Sequence, residues 1–240
     1  MVNYSDPAMY IVISGIWIIV LSFFLITFAR EFRSAFKKKF FFWIMVLPII
    51  LSSVYLAGHT VYENLISDTG GPVHWHADYE VWVCGEKLDL INPSGLRNKI
   101  GSPLFHEHND DRIHIEGTVI SLHDVDLGEY FKVIGGELDS ETGKLVYPIE
   151  NKVVSVKDGD LCDDEAATLK VYVNGKKIDK YEDYLIYPDA FVPPGDCIMV
   201  IFDESNDEMT ELLCPSWKVK GWNYEDFTRK EIAIEGQRWR

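Results

Sequence analysis

Two stretches without a single charged residue constrain this chain more than any other feature. Ala8 to Ala29 and Phe40 to Tyr62 carry no Asp, Glu, Lys or Arg. At 1.5 Å per residue, a helix of about 20 apolar residues crosses the hydrocarbon layer of a bilayer. Between them lies Arg30-Glu31-Phe32-Arg33-Ser34-Ala35-Phe36-Lys37-Lys38-Lys39, with five basic residues and one acidic. The positive-inside bias places loop 30–39 in the cytoplasm, and the N-terminus and everything after Tyr62 on the other side. A cleaved signal peptide fits the first run poorly, because Asp6 precedes it and no Lys or Arg does. Pro48 is expected to kink the second helix.

Charge changes at the same boundary. Residues 1–63 hold five basic and three acidic residues, whereas the remainder holds 18 basic and 35 acidic. So acidic a segment repels nucleic acid and anionic lipid, which excludes a nucleic-acid partner, and it concentrates cations near its surface. Solubility alone is the plainer account of that charge. All four cysteines, Cys84, Cys162, Cys197 and Cys214, lie in this acidic part, and none forms a C-x-x-C pair. One or two disulfides in an oxidising compartment are expected, and four cysteines allow three complete pairings.

Residues 63–73 read as a linker, since Gly70-Gly71-Pro72 stops a helix. Beyond it, Tyr79 to Leu90 alternates around a Gly-containing turn, as in a β-hairpin. The phrase V-W-V-C-G-E-K-L-D-L at 81–90 returns as V-Y-V-N-G-K-K-I-D-K at 171–180, where Asn174-Gly175 is a hairpin turn signal. Duplicated units would explain the echo, and so would shared strand grammar. Arg112 to Leu122 reads as a strand. A short helix follows over 126–134, with Asp126 as N-cap and Gly135-Gly136 at its end. Further strands are expected at 152–157, 168–174 and 197–203. The fold class that emerges is α+β: two N-terminal transmembrane helices, then a mostly β extracytoplasmic domain, β-grasp-like and open to duplication. Three regions are expected, namely a membrane hairpin over 1–63, the His-rich domain over 64–213, and a tail over 214–240. The tail mixes six basic and four acidic residues with Trp217, Trp222, Tyr224, Phe227 and Trp239. It suits either a contact with a partner in a membrane complex or an arm packed on its own domain.

The histidines carry the chemistry. Five of seven lie in the 41 residues from His74 to His114, where even spreading would put about one. His74/His76, His106/His108 and His114/Glu116 are each separated by two positions. In extended chain that spacing turns both side chains to the same face. Three segments therefore offer two donors apiece. A lone H-x-H on a strand is ordinary surface decoration; three donor pairs so close together point to a metal site. pH sensing and structural hydrogen bonding are the competing uses of such a cluster. The candidate metal ligands are His74, His76, His106, His108, His114 and Glu116. Asp78, Glu80, Glu107 and Asp110 are carboxylates able to orient imidazoles, and His123 stands near enough in sequence to join. His59 is read as an interfacial residue. A nitrogen and oxygen donor set suits one divalent transition metal ion, with copper or zinc favoured and iron or nickel also accommodated.

The order H-W-H-A, a strand with a Gly turn, H-x-H, I-H-I-E-G and then L-G-E-Y-F resembles a family of membrane-anchored archaeal and bacterial proteins for which no activity is established. The resemblance covers about residues 72–203. Glu116 stands where that family often has a second histidine, and Asp126 where it often has Thr. A looser similarity to the first cupin motif, through His74-x-His76 and Glu80, lacks the flanking glycines and the second motif. No P-loop, G-x-G-x-x-G, G-x-S-x-G or H-E-x-x-H occurs.

The expectation is thus a membrane-anchored extracytoplasmic metal-binding protein, for metal capture and delivery or as an accessory subunit, with catalysis left open. The alternatives are a metalloenzyme with an open coordination position and an interaction module with structural histidines.

Overall fold

The structure is a computed structural model, and it describes residues 7–28, 35–94, 98–186, 195–204, 214, 217–218 and 221. The chain divides into two compact units, Met1–Ile66 and Ser67–Arg240.

The first unit contains α1, Pro7–Phe28, and α2, Ala35–Ile66. Among the described residues one helix, Phe36–Ile66, is long and apolar enough to cross a membrane; the apolar stretch of the other, Met9–Leu25, is shorter. The expectation of two membrane-crossing helices is therefore met for one of them. Gly15 of α1 faces Pro48 of α2, where a Cβ would sit 3.4 Å from Pro48 Cβ. Pro48 falls inside α2 as expected, and Ser52 Oγ donates to its carbonyl at 2.6 Å. The linker is shorter than the sequence suggests, because α2 continues to Ile66 and the next strand starts at Pro72.

The second unit is built on strands β1 (Pro72–Val83), β2 (Glu86–Leu88), β3 (Ile100–Gly101), β4 (Phe105–Glu107) and β5 (Arg112–Thr118). A 3-10 turn, Leu122–Val125, leads into α3, Leu127–Val133. After it come β6 (Glu137–Asp139), β7 (Lys144–Ile149), β8 (Lys152–Val156), β9 (Leu161–Cys162) and β10 (Glu165–Ala166). The described strands end with β11 (Thr168–Val173), β12 (Lys176–Ile178) and β13 (Cys197–Asp203).

Eight of these strands form one sheet, ordered β12-β11-β13-β1-β5-β4-β3 with β2 paired to β1; β6-β7-β8 and β9-β10 form two smaller sheets. The unit is mixed α+β around a large sheet. Both echoed phrases fold as hairpins of that sheet, β1–β2 and β11–β12, and β13 lies between their long strands. The predicted helix forms, with the Asp126 carboxylate accepting from Glu129 N at 2.7 Å.

Period-two alternation gives the sheet its two characters. On one face Ala77, Tyr79 and Val81 of β1, Ile113 and Ile115 of β5, Phe105 of β4 and Ile198, Val200 and Phe202 of β13 join the main core. Tyr130 and Phe131 of α3 cap them, both fully buried. Each such large apolar side chain contributes about 1.5–3 kcal/mol by leaving water. The other face is split. Over β11 and β13 it is apolar, where Tyr172, Met199 and Ile201 meet the fully buried Trp217. Over β1, β5 and β4 it carries the histidines. Trp217 therefore packs on its own domain; Trp222, Tyr224, Phe227 and Trp239 lie outside the described residues.

Two disulfides, Cys84–Cys162 and Cys197–Cys214, account for every cysteine. The first ties the β1–β2 turn to β9, and the second ties β13 to the segment that brings in Trp217. They fit an oxidising compartment.

Candidate metal centre

Register decides what the histidine pairs become. β1 pairs antiparallel with β5, setting His74 opposite Glu116, His76 opposite His114 and Asp78 opposite Arg112. β4 pairs antiparallel with β5 on its other edge, setting His106 opposite His114. His76, His114 and His106 thus form one row across three strands, with His74 and Glu116 in the next row on the same face. Strand pairing brings the three sequence segments to one place.

All six candidates are close. The ligand atoms of His106, His108, His114 and Glu116 lie within 4.8 Å of one another, as do those of His74, His76 and His114. Ring centroids are 4.5 Å apart for His74 and His76, 4.7 Å for His76 and His114, and 4.7 Å for His108 and His114. His106 stacks on His114 at 5.6 Å, their planes 8° apart. Glu116 reaches two imidazoles with different oxygens, Oε1 lying 3.1 Å from His74 Nε2 and Oε2 lying 3.7 Å from His106 Nε2.

Neighbours fix which ring nitrogens stay open. His108 Nδ1 lies 2.6 Å from the carbonyl of Asn98, which can only accept, so Nδ1 carries the proton and Nε2 keeps its lone pair. His114 Nε2 lies 3.2 Å from the Asp110 carboxylate and donates to it, leaving the buried Nδ1 without a hydrogen-bond partner. A carboxylate or carbonyl behind each imidazole is the arrangement that orients metal ligands. Burial pushes the Asp110 carboxyl up, but the hydrogen bond and charge of His114 outweigh it and hold the group below its ordinary value.

His106 is the most unusual residue of the site. It is fully buried, and neither ring nitrogen has a hydrogen-bond partner. Orphaned buried polar atoms are rare in folded proteins, because each costs about 1–3 kcal/mol. Burial, with the nearby Lys99 charge, lowers its pKa to about 4; burial and the neighbouring His114 do the same for His76. Both imidazoles are neutral at pH 7, the form that binds metal. The donor set and the orphaned nitrogens fit a divalent transition metal ion.

Gly101 lets β3 pair closely with β4 beside the site. Its φ is +113°, and a Cβ there would sit 2.5 Å from Phe105 O and 3.0 Å from His106 Cα. The backbone approach that seats His106 excludes any side chain at this position.

Of the carboxylates named from the sequence, Asp110 touches an imidazole. The other three have different work. Asp78 Oδ1 accepts from Arg112 Nε at 2.9 Å. Glu80 accepts from Trp82 Nε1 at 2.9 Å and lies 3.6 Å from Lys87 Nζ. Glu107 points to the core side and accepts from the backbone of Asp110 and Asp111. Burial there raises its carboxyl above the usual range. His123 sits in the 3-10 turn and lines a separate cavity of about 470 Å³ with Glu129 and Lys132. His59, in α2, lies 3.4 Å from Glu63. Sequence reasoning missed Asn98 and Lys99. Asn98 acts through its backbone carbonyl, and no residue pattern encodes that.

Comparison of the chain with protein-family models, curated proteins and solved structures gave no match, so its function is argued from this geometry.

Proposed function

We propose that the protein is a membrane-anchored, extracytoplasmic metal-binding protein, whose sheet domain holds one divalent transition metal ion for capture and delivery. The observation that carries this reading is His106: a fully buried imidazole without hydrogen bonds, beside His108, His114 and Glu116 at ligand spacing. A histidine kept for structure would satisfy at least one of its nitrogens. Both disulfides favour an oxidising compartment, and the apolar helix Phe36–Ile66 supplies the anchor. We read α1 as the second membrane helix and the basic 30–39 loop as cytoplasmic, which places the sheet domain outside. The residues after Trp217 are assigned to a partner in a membrane complex. Three imidazoles and a carboxylate suit copper or zinc, with iron or nickel also compatible.

The direct test is metal analysis of the full-length protein, purified without a histidine tag in detergent. One equivalent of tightly held metal and a raised melting temperature are expected, and His106→Ala is expected to lose the tight binding and most of the stabilisation. Absence of bound metal, with no stabilisation by added copper, zinc, nickel or iron, overturns the reading.

A further inference from the structure

The six donors do not form a single sphere. They form two groups, one of His74, His76 and His114 and the other of His106, His108, His114 and Glu116, joined by a shared histidine. We propose that these are two stations for one cargo ion: a solvent-facing capture position at His74 and His76, and a more enclosed holding position at His106, His108 and Glu116. His114 serves each in turn. The proposal rests on the metal-binding reading above and adds the route by which the ion arrives.

Three observations carry it. Exposure falls across this face of the sheet, from His74, whose side chain is 63% exposed, through the half-buried His76 to His106, which is 0% exposed. The outer pair offers an arriving ion the most exposed imidazole, whereas the inner group sets the fully buried His106 beside the half-buried His108 and Glu116. The second observation is the shared donor. Asp110 holds Nε2 of His114, so Nδ1 alone is open, and one lone pair cannot bind two ions at once. The groups are therefore alternative positions rather than a binuclear centre. The third is Glu116, which spans both groups with one oxygen toward His74 and the other toward His106.

Transfer is ligand exchange without electron movement. A bond from His76 to the ion breaks as one from His108 forms. His74 gives way to His106, and Glu116 enters as its contact with His74 is released. His114 stays bound throughout. The ion keeps its oxidation state, and the incoming carboxylate replaces neutral imidazole or water. Five of the six donors stand on three paired strands and His108 directly follows the end of β4, so the exchange is assigned to side-chain rotation rather than backbone movement.

Cobalt(II) alone, mixed with the full-length metal-free protein in detergent and followed by stopped-flow visible absorption, tests the route. The wild type is expected to show a phase proportional to cobalt concentration, then a first-order phase independent of it, saturating at one equivalent. His74→Ala/His76→Ala is expected to reach the same final spectrum and stoichiometry while loading at least tenfold more slowly and without the first-order phase. His74→Gln, at an exposed position that cannot compromise folding, is expected to slow the first phase alone. His106→Ala is expected to stop at the first spectrum. Two equivalents at saturation, wild-type loading by the double variant, or a changed final spectrum in it each overturns the two-station route while leaving metal binding intact. Failure of the wild type to bind cobalt overturns the route together with the reading beneath it.

Discussion

Replacing His106 with leucine should make the metal-free protein more stable and abolish its tight hold on metal. The imidazole is fully buried, with both nitrogens lacking hydrogen-bond partners. Each unsatisfied nitrogen costs about 1–3 kcal/mol. Leucine has a similar volume and no polar atom, and its imperfect shape returns about 1 kcal/mol. At the lower end, the two nitrogens together cost about 2 kcal/mol and the net gain is about 1 kcal/mol, worth about 2–4 °C in melting temperature for a domain of this size. The order should reverse when metal is added. A ligand at 100 times its dissociation constant stabilises only the protein that binds it, by about 2.7 kcal/mol. Near-ultraviolet circular dichroism follows the sheet unit through its buried Tyr79, Tyr130 and Tyr147. The melt is run on the full-length protein in detergent, with chelator and then with zinc. His106→Leu less stable than wild type in chelator would refute the reasoning, because the imidazole would then be contributing to the fold itself.

The other expectations are simpler. Stability of the metal-free protein should fall as pH drops from about 6.5 to about 4, since the unfolded chain takes up protons that folded His76 and His106, lowered to about 4, refuse. Glu107, raised by burial, opposes this trend just above its ordinary 4.5. A flat or inverted melting profile across that range rejects the assignment. Gly101→Ala should cost about 1–3 kcal/mol through its φ of +113° and the clash with Phe105 O. It should weaken metal binding by displacing His106, and calorimetric titration at unchanged zinc affinity would count against it. Removing the Cys84–Cys162 bridge, which closes a separation of 78 residues, should cost about 2–4 kcal/mol in urea unfolding while sparing metal affinity.

Much of this could be read from residue order, because it rests on local rules. Spacing by two on an extended chain puts His74 with His76, and His114 with Glu116, on one face whatever the rest of the protein does. Asn174-Gly175 turns a hairpin, Asp126 caps a helix, and the uncharged run ending at Tyr62 forms a long helix for equally local reasons. What the tertiary structure decided is register and burial. His76, His114 and His106 meet because β1, β5 and β4 lie side by side in one particular alignment. A slip of one residue would turn either outer strand's histidines to the core face. Of the three cysteine pairings, only long-range folding chose Cys84 with Cys162 and Cys197 with Cys214. Likewise Asp110, rather than Asp78, Glu80 or Glu107, stands behind an imidazole. Which carboxylate reaches a ring, and which ring is sealed from water, depends on neighbours distant along the chain, and local spacing holds no record of them.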